Sequence, residues 1–196
     1  GLPELREALV QKLRAKNGLT DVDVMVSSGA NQAFTNLVLT LIDADHSAVL
    51  FAPYYFNHLM ALQMSGGAAS VELGPRDAAM LPDAAWLEDA LVRGGGKVRM
   101  VVVVNPCNPT GVVVPRERLE RVREACERHG AWLVVDNAYE EFVYGGNEHV
   151  VVGGKHVCNV FSYSKSHGMM GWRVGYIAYP TKESCGFDLG AELLKI

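Results

Sequence analysis

The stretch KVRMVVVVNP at residues 97–106 restricts the fold more than any other. A strand with one face in water alternates apolar and polar side chains, and this valine run does not alternate. Such a strand is buried on both faces, as happens where helices cover a parallel sheet from both sides. DVDVMVSSG, HSAVLFAP, ASVEL, AWLVVDNAY, HVCNVFSYS and RVGYIAYP read as further strands. Between them ANQAFTNLVLTLID, NHLMALQMSGG, DAAWLEDALVRGGG and PRERLERVREACERHG read as helices, several closed by glycine. At the start, Pro3 suits a first helical turn, and Leu5, Leu9 and Leu13 recur at helical spacing until Gly18. The fold class is therefore α/β, a three-layer α/β/α arrangement around a mainly parallel sheet. No internal repeat, low-complexity tract or linker divides residues 1–196. The last residues, AELLKI, stop inside a helical run, so a longer protein is expected.

Composition narrows the function classes. With 49% hydrophobic and 20% charged residues, the chain is an ordinary globular one. A net charge of -4 supplies no basic field, so neither nucleic acid nor an anionic membrane is an expected partner. No apolar run is long enough to span a bilayer, and no signal peptide is visible. Cys107, Cys126, Cys158 and Cys185 form no CxxC pair and read as reduced thiols of a cytoplasmic protein. The six histidines lack ligand spacing, so no metal is expected.

In parallel sheets ligands sit beyond the carboxyl ends of the strands. Those positions read SSGANQ (27–32), PYYFNH (53–58), NPCNPTG (105–111), DNAY (136–139) and SYSK (162–165), all polar, aromatic or glycine-rich. SSGANQ turns from a strand into a helix start, where free backbone N–H groups favour an anion. A plain serine N-cap is the alternative. Arg173, Ser162 and Ser164 offer donors suited to a phosphate. Lys165 is an amine able to form a Schiff base with an aldehyde, and the flanking serines and MMGW point to partial burial rather than a solvated lysine. Asp136 ends an apolar strand, either as an N-cap or as the partner of a protonated ring nitrogen. Tyr139 and Asn108 offer donors to a phenolic oxygen. Tyr55 offers a flat face to a ring, or simply packs on the sheet. Phosphate, aldehyde, ring nitrogen, ring oxygen and π-face together describe pyridoxal 5′-phosphate.

The ordered motifs SGANQA, PYYFNH, NPxNPTG, VVDNAY and SYSKSHGMMGWRVGY resemble the class I/II aminotransferases, pyridoxal-phosphate enzymes of fold type I. The resemblance spans nearly the whole chain. It implies a cofactor-bonding lysine at Lys165, which also serves as the base and acid of proton transfer. It places phosphate ligands at Ala30, Asn31, Ser162, Ser164 and Arg173, and the stacking ring at Tyr55. Ring-oxygen donors fall at Asn108 and Tyr139, and the ring-nitrogen partner at Asp136, with His58 where some relatives bond that aspartate. PYYFNHLMALQMSGG is similar to plant aromatic aminotransferases that work between methionine and aromatic oxo-acids. The implied substrates are thus an amino acid and a 2-oxo acid, and the implied full-length assembly is a homodimer. The resemblance makes residues 1–196 the cofactor-binding large domain, without the closing N-terminal segment or the small domain bearing the carboxylate-binding arginine. Such a fragment alone is expected to be poorly active. The same cofactor residues would also serve a β-lyase, an aminocyclopropane-carboxylate synthase-like enzyme, or the ligand-sensing domain of a transcription regulator.

Overall fold

The valine run at residues 101–104 lies on an interior strand of a seven-stranded sheet in a computed structural model that describes residues 1–65 and 70–196. In chain order the strands are β1 (Val22–Ser27), β2 (Ser47–Phe51), β3 (Ser70–Gly74), β4 (Val98–Val104), β5 (Trp132–Asp136), β6 (Val157–Ser162) and β7 (Gly175–Pro180). In space they run β1-β7-β6-β5-β4-β2-β3. β3, β2, β4, β5 and β6 are parallel, and β7 runs antiparallel to both β6 and β1. The helices are α1 (Pro3–Asn17), α2 (Gly29–Leu41), α3 (Phe56–Met64), α4 (Ala84–Gly94), α5 (Arg116–Arg128), α6 (Lys182–Cys185) and α7 (Leu189–Leu193). The glycine stop read at Gly66 and Gly67 and the strand residue Ala69 lie outside the described residues.

Both faces of the central strands are buried, as their lack of alternation requires. Met100, Val102, Val134 and Val160 pack with Phe34, Leu37 and Val38 of α2. Val101, Val103, Leu133 and Val135 pack against Leu87 and Leu91 of α4 and Leu119, Val122 and Cys126 of α5. Leu9 and Leu13 of α1 meet Phe161, Tyr176 and Ala178 near the opposite end of the sheet. The helix punctuation is chemical too. Pro3 occupies the first turn of α1, and Gly18 closes it at φ 69°, a left-handed conformation that suits glycine.

The antiparallel β7 has one consequence for function. Its amino end lies level with the carboxyl ends of its neighbours, because Gly175 pairs with Ser162 on one side and Ser27 on the other. RVGYIAYP is accordingly shorter as a strand than its sequence suggests. Arg173 sits in the preceding turn at φ 54°, beside the same sheet edge as the loops after β1 and β6.

Candidate functional site

Five strand ends and the turn before β7 meet in one pocket. Its lining includes ten of the eleven site residues named from the sequence, all but His58: Ala30, Asn31, Tyr55, Asn108, Asp136, Tyr139, Ser162, Ser164, Lys165 and Arg173. Val104, Ala138 and Met170 complete it, three apolar residues of which only Met170, as part of MMGW, carried a sequence signal.

At one end is the start of α2. Ser28 precedes the helix without making a side-chain cap, so the plain N-cap alternative is not what forms here. Ser27 Oγ instead donates to the Gly29 carbonyl at 3.0 Å. Gly29 takes φ 80°, and a Cβ there would lie 2.3 Å from a terminal nitrogen of Arg173, so only glycine lets the guanidinium come this close to the helix start. Gly175 is similarly constrained, since its Cβ would fall 2.7 Å from the Ala30 amide nitrogen and 2.8 Å from the Phe161 carbonyl oxygen. Arg173 also donates to the Met170 carbonyl at 3.0 Å and approaches the Ser164 hydroxyl at 3.5 Å, while the Ser164 N–H donates to Ser162 Oγ at 3.1 Å. A helix start, a guanidinium and two hydroxyls thus face one point, an arrangement suited to a phosphate.

The floor is Asp136. Its Oδ1 accepts the Ala138 N–H at 2.9 Å, and its Oδ2 lies 3.0 Å from His58 Nε2. The carboxylate that caps the local turn therefore also lines the pocket, and a carboxylate keeps acceptor capacity beyond these two contacts. Both side chains are nearly dry, with the aspartate 6% and the histidine 4% exposed. His58 is fixed by the Phe34 ring at 4.2 Å between centroids and by the edge-on Tyr55 ring at 5.2 Å. Asn57 donates to the Tyr55 hydroxyl at 2.9 Å, which holds that ring over the pocket.

Lys165 differs from its sequence expectation in one respect. It is exposed rather than partly buried, because Met170 and Trp172, expected to shield it, are themselves 62% and 75% exposed. Its Nζ lies 5.6 Å from the centroid of the Tyr139 ring.

Behind the pocket lies a buried polar network that sequence reasoning missed. Asn137 Nδ2 donates to the Val135 carbonyl and to Asn159 Oδ1, and Asn159 Nδ2 donates to the Val152 carbonyl. Asn105 Oδ1 accepts the Val114 N–H, and its Nδ2 donates to the Val150 carbonyl. His149 Nε2 lies 3.2 Å from the Asn105 carbonyl oxygen and 3.1 Å from Asn137 Oδ1. Both are acceptors, so Nε2 carries the proton and donates. The network ties the turn after β4 to the turn after β5, and hence Asn108 to Asp136.

Burial holds the His149 pKa below its ordinary value of 6.5. The unfolded chain therefore binds this proton more readily than the folded one. Stability is fully present above pH 6.5 and is lost as the pH falls toward the lower folded value, and His156 shifts in the same direction. The urea midpoint is expected to fall between pH about 7.5 and about 5.5, and to fall less in His149→Gln. Equal slopes in the two proteins would refute a role for His149.

Among the described residues, no group of three or more His, Cys, Asp or Glu is placed to hold a metal ion. Among the same residues, no helix is long and apolar enough to cross a membrane.

Residues 1–188 match the family described as aminotransferase class I and II. The chain is 53% identical over 197 residues to the Arabidopsis thaliana protein named aromatic aminotransferase ISS1, across 100% of this chain and 49% of that protein. It is 34% identical over 186 residues to aspartate/prephenate aminotransferase of Thermus thermophilus, across 92% of this chain and 47% of that one. Among solved structures, aspartate aminotransferase from Thermus thermophilus with maleate matches with a TM-score of 0.88 at 30% identity, over 100% of this chain and 50% of that one. Aromatic aminotransferase from Pyrococcus horikoshii OT3 matches with a TM-score of 0.87 at 27% identity, over 100% and 52%. The chain spans about half the length of the curated relatives it matches.

Proposed function

The chain belongs to the class I and II aminotransferases, and on that premise we propose that its pocket binds pyridoxal 5′-phosphate and serves amino-group transfer between an amino acid and a 2-oxo acid. The observation that carries this reading is the convergence of ten residues, from five strand ends and one turn, on one pocket. The donor set fits the group: an anion cradle, a primary amine, a buried carboxylate, a phenol with an amide, and an aromatic face.

In this reading Ala30, Asn31, Ser162, Ser164 and Arg173 hold the phosphate, and Tyr55 stacks on the ring. Asn108 and Tyr139 donate to the phenolic oxygen. Asp136, steadied by His58, pairs with the protonated ring nitrogen. When bound, pyridoxal phosphate supplies an electron sink that stabilises negative charge at the substrate α-carbon. Lys165, the primary amine of the pocket, would hold the cofactor at its aldehyde and would carry the proton of the substrate α-carbon as general base. The exposure of Lys165 supports an approach for substrate from the open side. Residues 1–196 serve as the cofactor-binding domain, and a full-length homodimer is the working assembly. The 53% identity to a protein named aromatic aminotransferase supports an aromatic substrate class.

Borohydride reduction of the protein with pyridoxal phosphate, followed by peptide mapping, tests the reading. A pyridoxyl group on Lys165 alone is expected. Label spread over several lysines, or absent from Lys165 in the full-length gene product, would refute it.

A further inference from the structure

The pocket is tied to α1 by an ion pair that no step above uses. The side chain of Lys12 passes over the Phe161 ring, with Nζ 4.3 Å from its centroid. Nζ reaches both carboxylate oxygens of Glu140 at 2.6 and 2.9 Å and the Tyr176 hydroxyl at 3.2 Å. Asn17 Nδ2 donates to the same carboxylate at 3.2 Å. One turn further along α1, Lys16 pairs with Glu141.

Exposed ion pairs constrain little, but this one is largely out of water, with Lys12 27% and Glu140 12% exposed. Burial pushes the Lys12 ammonium pKa down, and Glu140 works against that shift. Removing one partner would strand the other charge in a poorly solvated place, so the surrounding backbone would move to resolvate it.

That backbone carries Tyr139. Glu140 directly follows it, and the turn is closed by the Glu140 N–H to the Asn137 carbonyl at 3.0 Å and the Phe142 N–H to the Tyr139 carbonyl at 2.8 Å. The aromatic shelf beneath Lys12 reaches the lysine-bearing turn as well. Tyr176 stacks on Phe161 at 4.8 Å and lies 6.2 Å from Tyr163, which precedes Ser164 and Lys165.

We propose that Lys12 is a positioning residue: its pair with Glu140 sets the turn that aims Tyr139 at the cofactor's phenolic oxygen. The proposal rests on the reading of the pocket as a pyridoxal-phosphate site. A pair serving only to dock α1 would affect stability and leave the cofactor's electronics alone.

The test uses the full-length gene product and the visible absorbance of bound cofactor, titrated with pH. Losing the Tyr139 donor disfavours the ionised phenolic oxygen. Lys12→Met is therefore expected to raise the titration midpoint by about one unit and weaken cofactor affinity about tenfold. Lys12→Arg, which keeps a cation able to pair bidentately, is expected to restore the midpoint to within about 0.3 unit. Lys16→Met, which breaks the exposed pair on the same helix, is expected to move neither quantity. A folded Lys12→Met protein with unchanged midpoint and affinity would overturn the proposal. Should Lys12→Met fail to fold, Glu140→Gln keeps the shape and removes the charge, and the same readouts decide. A wild-type protein without a cofactor band and without label on Lys165 would overturn the pocket reading itself, and the proposal with it.

Discussion

Lys165→Ala is expected to reduce turnover of the full-length gene product about 10⁴-fold or more, with little change in thermal stability. Two observations separate those effects. Lys165 is exposed, and among the described residues its Nζ makes no hydrogen bond or ion pair. Truncating such a side chain costs at most about 0.5 kcal/mol of folding stability. Its nearest aromatic neighbour, Tyr139 at 5.6 Å, is packed edge-on against Phe142 and does not depend on it. In the proposed reading activity would depend on it twice over, because one amine would both bond the cofactor and carry the α-proton. Lys165→Arg decides whether charge alone suffices. A guanidinium keeps the positive charge but is no nucleophile near neutral pH, so the arginine protein is expected to be as inactive as the alanine one. Measuring kcat and melting temperature on both variants checks this. Residual kcat within about tenfold of wild type would remove Lys165 from the chemistry.

The sequence carried the layers of this fold more fully than its strand directions. A strand buried on both faces must be apolar throughout, so residues 101–104 and WLVVD announce a covered sheet by composition alone. Direction has no such mark. Nothing in RVGYIAYP distinguishes an antiparallel strand, since burial on both faces leaves the same residues either way. That direction explains why Arg173 precedes its strand while residues such as Asp136, Ser162 and Asn108 lie at or beyond the carboxyl ends of theirs.

Within the site, residues on turns were legible because polar and glycine-rich stretches stand out after apolar runs. Tyr139 and Asn108 are of this kind. The shielding of Lys165 was misjudged because MMGW reads as apolar cover, whereas cover depends on where the side chains point. The supports behind the site were silent for a different reason. Lys12 and Glu140 are 128 residues apart, and each reads as an ordinary charge on a helix or turn. His149, Asn137 and Asn159 come from separate segments, and only the folded chain brings them together. Local pattern reveals groups that face a ligand; it does not reveal which distant residues hold them.

Asp136→Asn is the sharper test of the proposed electron sink. The carboxylate is held by backbone that would survive the change: β5 pairs with β4 and β6, and the Asn105 N–H donates to the Asp136 carbonyl at 2.9 Å. Asparagine has nearly the same shape, and its oxygen can still accept the Ala138 N–H. Its amide then faces His58 Nε2, so one hydrogen bond is re-formed with the other imidazole tautomer or lost, a cost of about 1–2 kcal/mol. The protein should therefore fold. What the change removes is the carboxylate that, in the proposed reading, would favour a protonated ring nitrogen in a nearly dry place. Turnover is expected to fall by about 10²–10⁴-fold with cofactor saturating. His58→Asn leaves the charge and removes only its support, so about tenfold is expected there, and the double variant should be no worse than Asp136→Asn. That ordering follows from His58 acting through the aspartate rather than on the ligand. If Asp136→Asn kept kcat within about tenfold of wild type, the carboxylate would be a local cap and nothing more.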